Sequence, residues 1–170
     1  DADLLVRLDA FVALSRIGDP SSQKPIIEAM KDKALWTGLS TWDWMAVLHV
    51  IERNWFTDKD VVPVLKWLLT YGEWAPPQKD EEVAGRRDEN IRRMGNAVGE
   101  ILARKFGDTS GEDFLVAGLA GDNHMQQTSA MAVGLLKSKK AIPGLLKILR
   151  DELPDSGWIN NKLYAIAALG

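Results

Sequence analysis

Four stretches of this chain repeat one local design, and that repetition limits the fold more than any single motif does. Residues 17–27, 56–65, 106–115 and 138–146 each follow an amphipathic run, turn on small or polar residues such as Gly18-Asp19 or Gly107-Asp108, and enter a shorter apolar helix. Proline stands in the first turn of that helix in three of the four, at Pro25, Pro63 and Pro143, where its missing N–H removes no helical bond. Phe114 takes the place of proline in the fourth. The spacings of 38, 51 and 29 residues give a unit of about thirty residues, with insertions in the two longer intervals. One helical hairpin cannot bury its apolar stripe alone, whereas stacked hairpins bury a continuous core.

Apolar residues recur at helical spacing along almost the whole chain. The stripes are Leu4, Leu8 and Phe11 with Leu5 and Val12; Trp44, Leu48, Ile51 and Trp55; Val61, Leu65 and Leu68; Ile91, Met94, Val98 and Ile101; Ile142, Leu145 and Leu149; and Ile159, Leu163 and Ile166. No segment sustains the period-two alternation of a strand. Punctuation by Gly18-Asp19-Pro20, Thr57-Asp58, Gly107-Asp108, Gly121-Asp122 and Pro154-Asp155 then predicts about nine helices, at 2–17, 22–32, 40–55, 59–71, 86–106, 111–120, 123–137, 140–152 and 158–170. The chain is expected to be all-α and, at 170 residues, a single domain over 1–170 with an inserted loop at about 72–85.

The short repeats resemble those of the HEAT-like family, in particular the subtype first named for phycobilisome lyases. Its run of Ala-Leu-Gly, Gly-Asp and Ala-Ile-Pro-x-Leu-Leu is similar to Ala141-Ile142-Pro143-Gly144-Leu145-Leu146 and to Ala167-Ala168-Leu169-Gly170. The likeness is good over 123–170 and 8–32 and looser between them, where Trp-rich helices and the 72–85 segment depart from the pattern. The resemblance implies a right-handed α-α superhelix, a HEAT/armadillo-like solenoid of about four to five hairpins, and a scaffold role. Asp1 in first place and an apolar helical pattern running to Gly170 lead us to expect a fragment of a longer repeat protein, with helix 158–170 frayed or covered by a neighbour.

Composition and motifs point away from an enzyme. The chain is 46% apolar and 26% charged, which excludes a disordered segment, and its lack of cysteine removes thiolate nucleophiles, zinc–thiolate clusters and disulfides. No apolar run is long enough to span a bilayer, so no membrane insertion is expected. His49 and His124 stand in no metal-binding spacing, and no His-Glu pair or phosphate loop is present. Asp58-Lys59-Asp60 lacks the later ligands of a calcium loop and reads as a helix cap. Glu81-Glu82 and Asp88-Glu89 have nothing apolar beside them to raise a pKa. Gly95 and Gly99, four apart inside a helix, read as a groove for close approach of a neighbouring helix. No catalytic, cofactor-binding or metal-binding residue is assigned.

Tryptophan is the compositional excess, with Trp36, Trp42, Trp44, Trp55 and Trp67 falling within 36–67. Trp44 and Trp55 lie on a core stripe, while Trp42 falls toward a rim, Trp67 off the Leu65/Leu68 stripe, and Trp74 at the start of the insertion. An exposed aromatic buries a large area at low entropic cost, so Trp42, Trp67 and Trp74 are candidate partner anchors, with core packing as the competing account. Polar positions of the inner helices, Lys24, Glu28, Lys66, Lys147 and Arg150, are expected to line the concave surface. Residues 86–106 carry six basic against three acidic side chains, including Arg86, Arg87, Arg92 and Arg93. Interleaved acids make this a solvated, ion-paired face. The expected function is thus a protein–protein interaction module that contacts another protein or another domain of its own chain. Two alternatives remain: a nucleic-acid-binding helical-repeat protein resembling alkylpurine DNA glycosylases, and a phycobilin lyase-like subunit. The net charge of −3 disfavours nucleic acid, and the lyase rests on likeness of fold alone.

Overall fold

The computed structural model describes residues 2–38, 41–74, 81–151 and 159–170. Eleven α-helices and no strand occur among the described residues: α1 (Ala2–Ile17), α2 (Gln23–Met30), α3 (Lys33–Gly38), α4 (Thr41–Glu52), α5 (Val61–Leu68), α6 (Tyr71–Trp74), α7 (Glu81–Ile101), α8 (Glu112–Gly118), α9 (Asn123–Leu135), α10 (Ile142–Arg150) and α11 (Ile159–Leu169). Contacts gather into two compact units, Asp1–Asn90 and Ile91–Gly170. Two short helices, α3 and α6, add to the nine expected, and α7 starts five residues before the predicted 86. Of the expected insertion, 72–74 and 81–85 are helical, and 75–80 lie outside the described residues.

The four repeated stretches share turn chemistry. Gly18 and Gly107 both take positive φ, +70° and +63°, and Lys137 does so at +53°. Each turn then uses a side-chain oxygen to hold a backbone N–H. Ser21 N–H donates to Asp19 Oδ1 at 2.9 Å, Asp60 to Asp58 at 2.9 Å, Ser110 to Asp108 at 2.8 Å, and Ala141 to Ser138 Oγ at 3.3 Å. These bonds satisfy donors that a new helix leaves free at its start.

Burial in the following helices keeps register with proline. Two residues before it (Gln23, Val61, and Ala141 at the N-cap of α10), two after (Ile27, Leu65, Leu145) and five after (Met30, Leu68, Ile148) are buried alike. The prolines themselves and the residues three further on, Glu28, Lys66 and Leu146, are exposed in all three.

In the first unit α1 packs on α4, and α2 packs on α3 and α5. Gln23 is buried there and ties the second turn down. Its Oε1 accepts from Thr57 N–H at 2.8 Å and Asp58 N–H at 2.7 Å, while its Nε2 donates to Trp55 O at 3.2 Å. Indoles do similar work around α3: Trp36 Nε1 donates to Met30 O at 2.7 Å and Trp44 Nε1 to Trp36 O at 2.9 Å.

In the second unit α9 packs on α8, α11 and the π-helical turn Leu102–Phe106, and α10 packs on α11. The groove expected at Gly95 and Gly99 is occupied by α8. A Cβ on Gly95 would lie 2.1 Å from the Phe114 ring, and one on Gly111 would lie 2.3 Å from Gly99 Cα. Behind this contact Asn96 Nδ2 donates to Ser129 Oγ at 2.6 Å and Thr128 Oγ1 to Asn96 Oδ1 at 3.2 Å.

Two predicted stripes need correction. On α10 Ile142 is exposed, and the inward residues are Leu145 and Ile148. On α11 Leu163 and Ile166 are exposed together with Leu169, whereas Asn161 and Ala165 face inward, and Ala168 sits where a Cβ on Gly134 would come within 2.9 Å of it. Approach that close admits small residues and turns the large ones out.

Candidate functional site

In the first unit the exposed positions of α2 and α5 border a groove of about 530 Å³ lined by Lys24, Ile27, Glu28, Lys31, Asp60, Pro63 and Val64. The apolar floor comes from Ile27 and Val64, both buried in the α2–α5 contact, and Pro63 closes one edge. The rim is mixed in sign. Lys31 Nζ meets Glu28 Oε1 at 2.5 Å, an i,i+3 pair exposed to solvent and therefore worth little to stability. Lys24 and Glu28 are thus brought to one groove, and Asp60 joins them from the turn before α5.

In the second unit the corresponding face of α10 is exposed. Lys147 and Arg150 project from it one turn apart, with Ile142, Pro143 and Leu146 beside them and Lys139 in the preceding turn. Lys139, Lys147 and Arg150 make no ion pair among the described residues. Lys140 is committed elsewhere: it donates to Asp113 at 3.0 Å and meets Glu112 at 3.4 Å, and these bonds raise its pKa.

The tryptophans divide by environment. Trp36 and Trp44 are fully packed, the latter edge-on to Tyr71 with centroids 5.0 Å apart. Burial pushes the Tyr71 hydroxyl above its ordinary pKa, against the pull of Arg87. Trp55, expected on the α4 stripe, lies past the end of that helix and is half-buried. Trp67 is half-buried on α5 beside exposed Lys66. Trp42 and Trp74 fall on α4 and α6 with side chains outside the described residues, as do those of Arg86, Glu81 and Glu82. Of the candidate anchors, the pair Lys66–Trp67 is therefore adjacent in the first unit and the pair Lys147–Arg150 in the second.

Other candidates take ordinary roles. His49 Nε2 lies 3.6 Å from Glu52 Oε2 on an exposed helix face, and His124 is exposed in the first turn of α9. Among the described residues no group of three or more His, Asp or Glu side chains converges on a point, and no helix is long and apolar enough to cross a membrane. Both faces carry charged side chains with aliphatic carbon between them.

Sequence reasoning missed Lys31, Asp60 and Pro63 at the groove, and missed Ile142 and Leu146 as surface residues. Counting from each proline would have found Pro63 and Leu146, because that register exposes the proline and the third residue after it in all three helices; the positions equivalent to Lys31, Asp60 and Ile142 differ in burial from repeat to repeat. Comparison with protein-family models, with curated proteins and with solved structures finds no match to this chain.

Proposed function

We propose that this chain is a non-catalytic protein-interaction module: a single HEAT-like domain over 1–170, wound as a right-handed α-α superhelix, whose proline-led helices contact another protein or another domain of a longer chain. The reading is supported by one observation above the others. Three helices keep the same buried register behind proline and turn the same face to solvent. In a stacked repeat, equivalent faces line up, and a row of mixed charged and aliphatic positions is what a shallow protein contact uses. Trp67 beside Lys66 adds a partly exposed aromatic of the kind that anchors such contacts.

The test is affinity capture with the intact chain beside two variants that keep the parent circular dichroism, Lys66→Glu/Trp67→Ala and Lys147→Glu/Arg150→Glu. A partner held at a fixed stoichiometry by the parent and lost by either variant is the expected result. No partner held by any of the three, or one held equally by all three, overturns the proposal.

A further inference from the structure

We infer that the exposed face of α10 binds an acidic peptide segment carrying aliphatic side chains. This deepens the interaction-module reading and rests on it. From Lys137 to Arg150 the chain holds five basic residues and no acidic one, although the whole protein is net negative; Lys140 is paired with Glu112 and Asp113, which leaves Lys137, Lys139, Lys147 and Arg150 for this surface. Charge alone would describe an ordinary solvated face. Here it is interleaved with aliphatic surface: Ile142 is 41% and Leu146 36% exposed, one turn apart along the helix, while Leu145 and Ile148 on the opposite side carry the packing. Pro143 and Lys147 form the neighbouring row, and Arg150 continues the Ile142–Leu146 row by another turn.

An occupant must therefore supply carboxylates and apolar carbon together. Arg150 offers a planar fork to a carboxylate and Lys147 a point charge. Neither is neutralised by an ion pair among the described residues. Polyanionic nucleic acid matches the charge but leaves Ile142 and Leu146 facing phosphate. Length limits the occupant as well. Lys139 to Arg150 spans about 17 Å at ~1.5 Å per residue, which an extended peptide covers with about five residues at ~3.3–3.6 Å each.

The probe is a fluorescein-labelled peptide, Glu-Asp-Leu-Glu-Glu-Leu, titrated with the intact chain and read by polarisation. Saturable binding that weakens at least fivefold with Lys147→Glu/Arg150→Glu, and again with Ile142→Ser/Leu146→Ser, is expected. It should also weaken with added salt and with a peptide whose leucines are replaced by serine. Far-UV circular dichroism checks that both variants stay folded; all four positions are exposed. Equal binding by parent and variants, or preference for a 20-base-pair duplex or for phosphatidylserine vesicles over the peptide, overturns the inference. The two failures are separable by the capture experiment. A partner lost with Lys66→Glu/Trp67→Ala and kept with Lys147→Glu/Arg150→Glu sinks the α10 assignment and leaves the module standing, whereas no partner with any form sinks both.

Discussion

Replacing Gly118 by alanine tests a close contact of the second unit, because helix propensity and packing predict opposite signs. Gly118 is the last residue of α8 and is buried. An added Cβ would lie 2.2 Å from Ser129 Oγ and 2.3 Å from Asn96 Nδ2. The two side chains are joined by a 2.6 Å hydrogen bond, and both are buried. The methyl group can enter only if Asn96 or Ser129 rotates away, which leaves a buried donor or acceptor unpaired at about 1–3 kcal/mol. Residual crowding adds ~1–3 kcal/mol, and alanine returns at most about 1 kcal/mol of helix propensity. The net expectation is a loss of about 1–5 kcal/mol. Urea unfolding followed by far-UV circular dichroism measures it, with exposed Ala117→Gly on the same helix as the gauge of propensity alone. If Gly118→Ala is as stable as the parent or more so, the close α8–α9 packing and its buried polar bond are wrong.

Lys137 takes a left-handed conformation at φ +53°, so Lys137→Gly should raise stability by about 0.5 kcal/mol in thermal unfolding; a fall would refute the strain. Gln23→Leu removes the acceptor for Thr57 and Asp58 N–H, and these two amides should exchange with solvent faster than in the parent, with a loss of about 1–3 kcal/mol. Asp122 caps α9 by accepting from Met125 N–H at 2.9 Å, which, with Arg93 beside it, holds its carboxyl below the ordinary 3.8. Its contribution is therefore full above that ordinary value and is lost as pH falls through the lower folded one. Asp122→Ala should cost about 1 kcal/mol at neutral pH, and its deficit should shrink in an acid titration below about pH 4; a deficit independent of pH would contradict the assignment.

The helical framework was legible in the sequence because it follows from local causes. Period-3.6 apolar spacing, polar caps and first-turn prolines placed α1, α2, α4, α5 and α7 to α11 within a few residues, and the repeated turns Gly18-Asp19, Thr57-Asp58 and Gly107-Asp108 carry equivalent hydrogen bonds at Asp19, Asp58 and Asp108. Lys147 and Arg150, expected among the polar positions of the inner helices, are exposed on α10. Tertiary structure decided what periodicity leaves open. Helix α3 is too short to carry a stripe; Asp32 caps it at 2.9 Å, and the indoles of Trp36 and Trp44 hold it from either side. Helices α10 and α11 are apolar on more than one side, so a period of 3.6 allows more than one inward face. Contact geometry made the choice: Ala168 sits where a Cβ on Gly134 would come within 2.9 Å, Ala165 is buried, and Leu163 and Ile166 turn out. Gln23 likewise looks like an ordinary surface residue in the sequence. It becomes a buried staple because the backbone groups it satisfies lie more than thirty residues away, a pairing that no local pattern encodes.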